Sequence, residues 1–200
     1  MILKICGITN QTDATAAIEG GATALGFNFY SRSPRYIAPQ RAAEISTPPG
    51  VRRVGVFVDE PPARVERIAR IAHLDVAQLH GHELPAGYPA ALAVWKALRV
   101  TGGVDFAPYQ TCPAQALLLD GPAAELYGGS GRSFDWRLAA GIGKPIVVAG
   151  GLDASNVARA IQLAHPWGVD ACSRIESAPG KKDHQKMNAF LQAARAALGA

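Results

Sequence analysis

The chain has little of what marks the specialised classes of protein. Cysteine is scarce: Cys6, Cys112 and Cys172 are three residues in 200, an odd number and far apart. They read as reduced thiols of a cytoplasmic protein rather than as a disulfide framework. None belongs to a CxxC pair, and no HExxH or similar ligand cluster occurs, so no structural metal is expected. Charged residues are few, at 18%, while 48% are hydrophobic, a balance that argues against disorder and supplies a sizeable core. Basic residues are scattered apart from Arg52-Arg53 and Lys181-Lys182, with no aromatics alternating among them. A nucleic-acid surface needs a denser stripe, so the net charge of +4 suits a solvated surface or weak steering of an anionic metabolite. No apolar run approaches the roughly 18 residues of a membrane span. The first residues, Met1-Ile2-Leu3-Lys4-Ile5-Cys6, lack the basic and apolar pattern of a signal peptide and read as a strand.

What is present is repetition. Short apolar runs rich in Val, Ile, Leu and Ala predict strands near 2–6, 23–28, 52–58, 74–79, 93–98, 115–120, 145–149 and 167–171. Helical patterns alternate with them near 12–20, 38–46, 61–72, 83–90, 104–109, 134–140, 153–164 and 183–198. In the last, Asp183 is the expected cap, and Met187, Phe190, Leu191, Ala194 and Leu198 share one face. In the one before, Asp153 is the expected cap, and Val157, Ala160, Ile161 and Ala164 form the stripe. Ala116-Leu117-Leu118-Leu119 is apolar without a break, as expected of a strand covered on both faces. Eight strand–helix units in 1–200 predict a single-domain α/β protein, a compact (β/α)8 barrel, with an open doubly wound sheet as the alternative. Cys6-Gly7-Ile8-Thr9 stands where a dinucleotide fold would carry GxGxxG, so a dinucleotide cofactor is not expected.

In such a barrel, chemistry lies at the C-terminal ends of the strands. Cys6, Asn28, Asp59, Gln78, His80, Arg99, Asp120 and Asp170 stand at or near those ends in an otherwise apolar pattern. Cys6 can be a base or nucleophile if neighbours lower its pKa, or simply a buried thiol. Asp120, after three leucines, would be costly to bury unpaired. It reads either as a catalytic carboxyl or as an ion-pair partner, for instance of Lys4, whose strand parity matches Cys6. Arg35, stiffened by Pro34, suits a carboxylate or phosphate, whereas Arg32 reads as solvated. A lone histidine such as His80 is more often a packing residue, and His82 should be exposed.

Gly128-Gly129-Ser130-Gly131 follows the sixth strand, and Gly150-Gly151-Leu152 leads from the seventh towards a helix. Closely spaced glycines let backbone N–H groups approach a phosphate, although either segment alone could be a tight turn. A phosphate site near strands seven and eight recurs in barrels, which favours phosphate binding here.

Together these residues resemble the phosphoribosylanthranilate isomerase family. The matching segments begin with Lys4-Ile5-Cys6-Gly7-Ile8-Thr9, Gly26-Phe27-Asn28-Phe29, Ser33-Pro34-Arg35-Tyr36-Ile37 and Gly55-Val56-Phe57-Val58. Gln78-Leu79-His80-Gly81, Leu119-Asp120-Gly121, Gly128-Gly129-Ser130-Gly131, Gly150-Gly151-Leu152, Asn156-Val157, Gly168-Val169-Asp170 and Pro179-Gly180-Lys181-Lys182-Asp183 continue the match in order. The resemblance implies an Amadori rearrangement of N-(5-phosphoribosyl)anthranilate without metal or organic cofactor, in a monomer or homodimer. It implies Asp120 as general acid opening the furanose and Cys6 as general base at C2. It further implies Arg35 on the anthranilate carboxylate, with Gly129, Gly131, Gly151, Ser173 and Arg174 around the phosphate.

One departure stands out: Cys172-Ser173-Arg174-Ile175-Glu176 occupies the place of the family's Ser-Ser-Gly-Val-Glu. An arginine there would be strained if φ had to be positive. Its backbone N–H or its side chain could keep a phosphate contact, or it could pair with Glu176. Two other functions compete. The sister barrel of the histidine pathway carries an aspartate base at the end of strand one and phosphate loops in both halves, unlike this chain. A barrel that only binds a phosphorylated ligand would need neither Cys6 nor Asp120.

Overall fold

Side chains of a strand point alternately to its two faces, and both faces here meet apolar surroundings. The computed structural model describes residues 1–101, 104–121 and 133–198. Eight parallel strands close in chain order: β1 (Ile2–Cys6), β2 (Ala24–Asn28), β3 (Arg52–Phe57), β4 (Val76–Leu79), β5 (Ala93–Arg99), β6 (Ala116–Asp120), β7 (Ile146–Val148) and β8 (Gly168–Ala171). The ladder from Ile2 with Gly168 to Ile5 with Ala171 joins the last strand to the first. Ile2, Val54, Val76, Trp95, Leu118 and Val147 pack together inside. Leu3, Ile5, Leu25, Phe27, Leu117 and Leu119 belong to the larger core under the helices. The closed barrel removes the open-sheet alternative.

The helices are α1 (Gln11–Glu19), α2 (Pro39–Ala43), α3 (Pro62–Ala72), α4 (Ala107–Gln110), α5 (Val157–Ala164) and α6 (His184–Ala196). At the start of α6 the Asp183 carboxylate accepts the N–H groups of Gln185 and Lys186, as expected of a cap. Met187, Phe190, Leu191 and Ala194 are buried, but Leu198 lies beyond the helix and is 43% exposed, so it leaves the stripe. Val157, Ala160, Ile161 and Ala164 of α5 are buried as expected. Its cap is not Asp153. A turn intervenes, the helix begins at Val157, and Asn156 occupies the cap position.

Other expected helices shrink where proline and glycine crowd the chain. The segment 83–90 is only a 3-10 turn, Pro85–Gly87, because Pro85, Gly87 and Pro89 cannot sustain a hydrogen-bonded helix. The segments 104–109 and 134–140 reduce to the single turn α4 and a 3-10 turn at Trp136–Ala139. A short antiparallel hairpin, β9 (Glu176–Ala178) with β10 (Lys181–Lys182), follows a 3-10 turn at Ser173–Ile175 and was not anticipated, although Pro179-Gly180 is a turn signal. Arg53 explains a charge facing the helix layer. Its guanidinium donates to the carbonyls of Ala42, Ile45 and Ala72, at the ends of α2 and α3, and lies 4.7 Å over the Phe27 ring. Among the described residues no helix is long and apolar enough to cross a membrane.

Trp95 fills the barrel interior with no exposure, donates to Gln115 Oε1 at 3.1 Å and meets Trp167 edge-on at 5.6 Å. Trp95→Ala should cost about 3–5 kcal/mol, the usual range for emptying a core aromatic site. Urea unfolding measures this; a loss below about 1 kcal/mol would show that the interior is not packed around this ring.

Candidate active site

Inward positions recur every second residue, so the alternation that buries the barrel core also chooses the groups at its mouth. On β6, Leu118 faces in, and so does Asp120 at the strand's end. On β4, Val76 leads to Gln78 and His80; on β8, Gly168 leads to Asp170 and Cys172; on β1, Lys4 leads to Cys6. These ends open into one cleft. The cleft brings together Cys6, Arg35, Asp120, Gly151, Ser173 and Arg174, which are the site residues expected from the sequence within the described segments. Gly129 and Gly131, with Gly128 and Ser130, lie outside the described residues. Asn28, Gln78, His80 and Asp170 also line the cleft, whereas Asp59, His82 and Arg99 do not. The His82 side chain is 83% exposed, as expected.

Lys4 is fully buried, and its ammonium lies 2.8 Å from Asp170 Oδ2. The partner suggested for Asp120 thus belongs to Asp170. Burial alone would discharge Lys4, but the Asp170 carboxylate and the Cys6 sulfur outweigh it and hold the lysine above its ordinary pKa. Cys6 shifts the other way. A hydrogen bond from the Cys172 thiol holds it well below an ordinary thiol; burial opposes this, and Lys4 and Lys182 assist. Asp120 instead faces His80, with Nε2 to Oδ2 at 3.4 Å. The Gln78 amide Nε2 lies 3.4 Å from His80 Nδ1. Gln78 Oε1 and Asp170 Oδ1 are buried without a hydrogen-bond partner among the described residues, leaving two acceptors for a hydroxyl-bearing ligand.

Arg35 is not poised in isolation. Its Nε donates to Glu176 Oε1 at 2.9 Å and its Nη2 to Oε2 at 2.8 Å, so Nη1 is the terminal nitrogen outside that pair. Lys182, buried, donates to the same carboxylate at 2.9 Å and to the Cys172 carbonyl at 3.4 Å. The hairpin that carries Lys182 is tied to α1, where Asp13 accepts the Lys182 N–H at 2.9 Å. Neither Lys182 nor the Glu176–Arg35 pair was picked out from sequence; the only signal was the Pro179-Gly180-Lys181-Lys182 turn. Arg174 does not pair with Glu176. Its Nη1 lies 2.9 Å from Asp153 Oδ2 and 3.4 Å from the Gly151 carbonyl. It is not among the residues with positive φ, so the strain considered for an arginine at this place does not arise. Gly150 does need to be glycine: φ is +82°, and a Cβ would lie 2.3 Å from the Gly121 nitrogen.

The anion of Glu176 should make stability pH-dependent. Burial raises its pKa, but the hydrogen bonds from Arg35 and the nearby Lys182 prevail and hold it below the ordinary range. A depressed folded value gives stability that is complete above the unfolded value, near 4.3, and lost as pH falls through the folded one. Glu176→Gln should therefore cost about 3–5 kcal/mol at neutral pH, since it leaves two cations without their partner. That gap should narrow below about pH 4, where the wild-type carboxyl takes up its proton. Urea unfolding of both proteins at pH 7 and pH 3 checks this; an equal gap at the two values would contradict the ion-pair assignment.

Comparison with known proteins bears on the same residues. The family model described as PRAI, N-(5'phosphoribosyl)anthranilate (PRA) isomerase, matches residues 3–193. An N-(5'-phosphoribosyl)anthranilate isomerase of Solibacter usitatus (strain Ellin6076) is 72% identical over 200 residues, covering 100% of both chains. The crystal structure of phosphoribosyl anthranilate isomerase from Thermotoga maritima is similar with a TM-score of 0.89 and 38% identity, covering 98% of this chain and 100% of that one. The Thermus thermophilus enzyme gives 0.88 and 38%, with 98% and 99% covered. A match over 3–193 contains the cleft's strand ends, its Arg35 loop and its Gly150-Gly151 turn, and the chain belongs to the N-(5'-phosphoribosyl)anthranilate isomerase family.

Proposed function

We infer that the cleft performs the family's isomerisation with Cys6 as general base and Asp120 as general acid. The chain is an isomerase that converts N-(5'-phosphoribosyl)anthranilate to 1-(2-carboxyphenylamino)-1-deoxyribulose 5-phosphate in tryptophan biosynthesis. In this aldose–ketose rearrangement the furanose must open, and a hydrogen must leave C2 while C1 gains one. Asp120 gives its proton to the ring oxygen, breaking the C1–O bond as the anthranilate nitrogen forms a double bond to C1. The Cys6 thiolate then removes the C2 proton, producing an enolamine that becomes the aminoketose once C1 is protonated and the C2 hydroxyl loses its proton. Only protons are exchanged with the protein, so an acid and a base suffice.

The observation that carries this reading is the placement of a thiol and a carboxyl on different strand ends of one cleft. β7 and β8 separate their strands in the ring, which leaves room for a sugar between them. Arg35 Nη1 is suited to the anthranilate carboxylate. Gly151, Ser173 and Arg174, together with Gly129 and Gly131 of the undescribed segment, are assigned to the phosphate. Arg174 can act there through its backbone N–H while its side chain fixes Asp153.

Cys6→Ala and Asp120→Asn should each lower kcat by at least about a hundredfold, the lower range for a general acid or base. The double variant should fall short of the product of the two losses. Binding of a reduced product analogue, measured by titration, should change little because the anionic anchors survive. A Cys6→Ala protein within a few-fold of wild type would return Cys6 to a packing role, and unchanged kcat in Asp120→Asn would remove the acid.

Arg35→Ala should raise KM for the anthranilate-bearing substrate far more than it weakens inhibition by inorganic phosphate, since Lys182 still holds Glu176. Wild-type kcat/KM in this variant would dismiss the carboxylate contact.

A further inference from the structure

We propose that Glu176, anchored by Lys182, is a positioning residue for Arg35, aiming the guanidinium so that the cleft selects a substrate whose arylamine carries a carboxylate. The inference rests on the reading of Arg35 as the anchor for that carboxylate. Glu176 takes one side of the planar fork, with Arg35 Nε to Oε1 at 2.9 Å and Nη2 to Oε2 at 2.8 Å. A guanidinium carries five N–H donors in one plane. Its end-on side, Nη1 with the second hydrogen of Nη2, therefore matches a second carboxylate. An arginine in a loop gives up much rotamer freedom when it grips an anion. Folding has already removed that freedom here, so the contact is organised before the ligand arrives.

Glu176 is itself held from several directions. Lys182 Nζ donates to its Oε1 at 2.9 Å, and the Gly180 N–H donates to the same oxygen at 3.3 Å. The Lys182 side chain has no exposure and that of Glu176 only 4%, so water does not compete for these bonds. Lys182 also donates to the Cys172 carbonyl just beyond β8, and its backbone N–H is held by Asp13 of α1. The hairpin turn packs on the loop that carries Arg35. The Thr9 hydroxyl donates to the Gly180 carbonyl at 2.7 Å, and a Cβ on Gly180 would lie 3.2 Å from the Pro34 carbonyl oxygen. The stem of Arg35 lies against Gly7, where a Cβ would come within 2.8 Å of its Cδ. The Arg35 N–H donates to the Ser33 hydroxyl, which accepts from Asn28 at the end of β2, each at 3.1 Å. Backbone, stem and fork of this arginine are all fixed. Charge supports the same role. Two cations surround one carboxylate, so one positive charge is left for a ligand. Without Lys182, Glu176 would neutralise Arg35. A buried ion network adds little net stability over an apolar filling, and orientation is what this one supplies to the cleft.

The test uses two freshly prepared substrates: N-(5'-phosphoribosyl)anthranilate, and N-(5'-phosphoribosyl)aniline, which lacks the carboxylate. Conversion of each to its ketose, read by chromatography, gives kcat and KM for wild type, Glu176→Gln, Glu176→Asp, Lys182→Met and Arg35→Ala. Circular dichroism checks that each protein is folded. Wild type should prefer the anthranilate substrate. Glu176→Gln and Lys182→Met should each lose about tenfold of that preference, the scale of one misdirected hydrogen bond between charged groups. The loss should lie in KM for the anthranilate substrate, with kcat/KM for the aniline substrate nearly unchanged. Glu176→Asp, which keeps the charge on a shorter arm, should fall between these and wild type. If Glu176→Gln does not fold, Glu176→Asp and Lys182→Met, which keep a carboxylate beside Arg35, decide the matter. Equal losses on both substrates would mean that the network only supports the fold, and an unchanged preference would mean that Arg35 needs no support; either result overturns the proposal. A preference that survives in Arg35→Ala would instead remove the carboxylate reading itself, a separate failure.

Discussion

Closing eight parallel strands in register imposes one constraint from which the site follows: neighbours at the same level must turn their side chains to the same face. Lys4 and Asp170 meet inside the barrel because β1 and β8 align Ile2 with Gly168, and Cys6 and Cys172, further along the same two segments, both line the cleft. Asp120 reaches the mouth because Leu118 fills the interior. A one-residue slip of β8 would replace Asp170 by Val169 or Ala171 on the inner face and strand Lys4 without its carboxylate. Since an unpaired buried ammonium costs several kcal/mol, the ion pair also guards the register that builds the site.

Charge is organised in the same economical way. Few charged residues are buried, and those around the cleft are paired across long stretches of chain. Lys4 joins Asp170, and Arg35 and Lys182 share Glu176. Lys96 joins Glu83 at 2.8 Å beside the loop that carries His80. These pairs fix loops that contain few regular elements of their own. The β2 loop, the β8 turn and the β9–β10 hairpin converge on one carboxylate, Glu176. Among the described residues, these long-range pairs hold in place the loops that line the cleft.

Much of this was legible in the sequence because it depends on local periodicity. Ala116-Leu117-Leu118-Leu119-Asp120 declares a strand covered on both faces with a carboxyl at its end, and the structure has just that strand. Cys6 and Asp120 were singled out because each ends an apolar strand with a polar or reactive group, and Arg35 and Gly151 because proline and glycine mark their loops; all four line the cleft. What could not be read were partners distant along the chain: 166 residues separate Lys4 from Asp170, and 141 separate Arg35 from Glu176. The cap of α5 was misplaced for a different reason. Asp153 and Asn156 are both capping residues, and the turn stabilised by Asn156 Oδ1 accepting from the Asp153 N–H delays the helix by three residues. Proline-rich segments were overread as helices, since apolar spacing over six residues cannot distinguish a helix from a turn packed on the barrel.

The measurement closest to the centre of this account is turnover itself. Freshly prepared N-(5'-phosphoribosyl)anthranilate is mixed with the protein, and the decay of its fluorescence is followed, with the histidine-pathway aminoaldose tested in parallel. Rapid, saturable decay with the first substrate and none with the second is expected of a barrel whose base is Cys6 and whose acid is Asp120. Tight binding of the product without any acceleration of the decay would contradict it and leave a barrel that only binds.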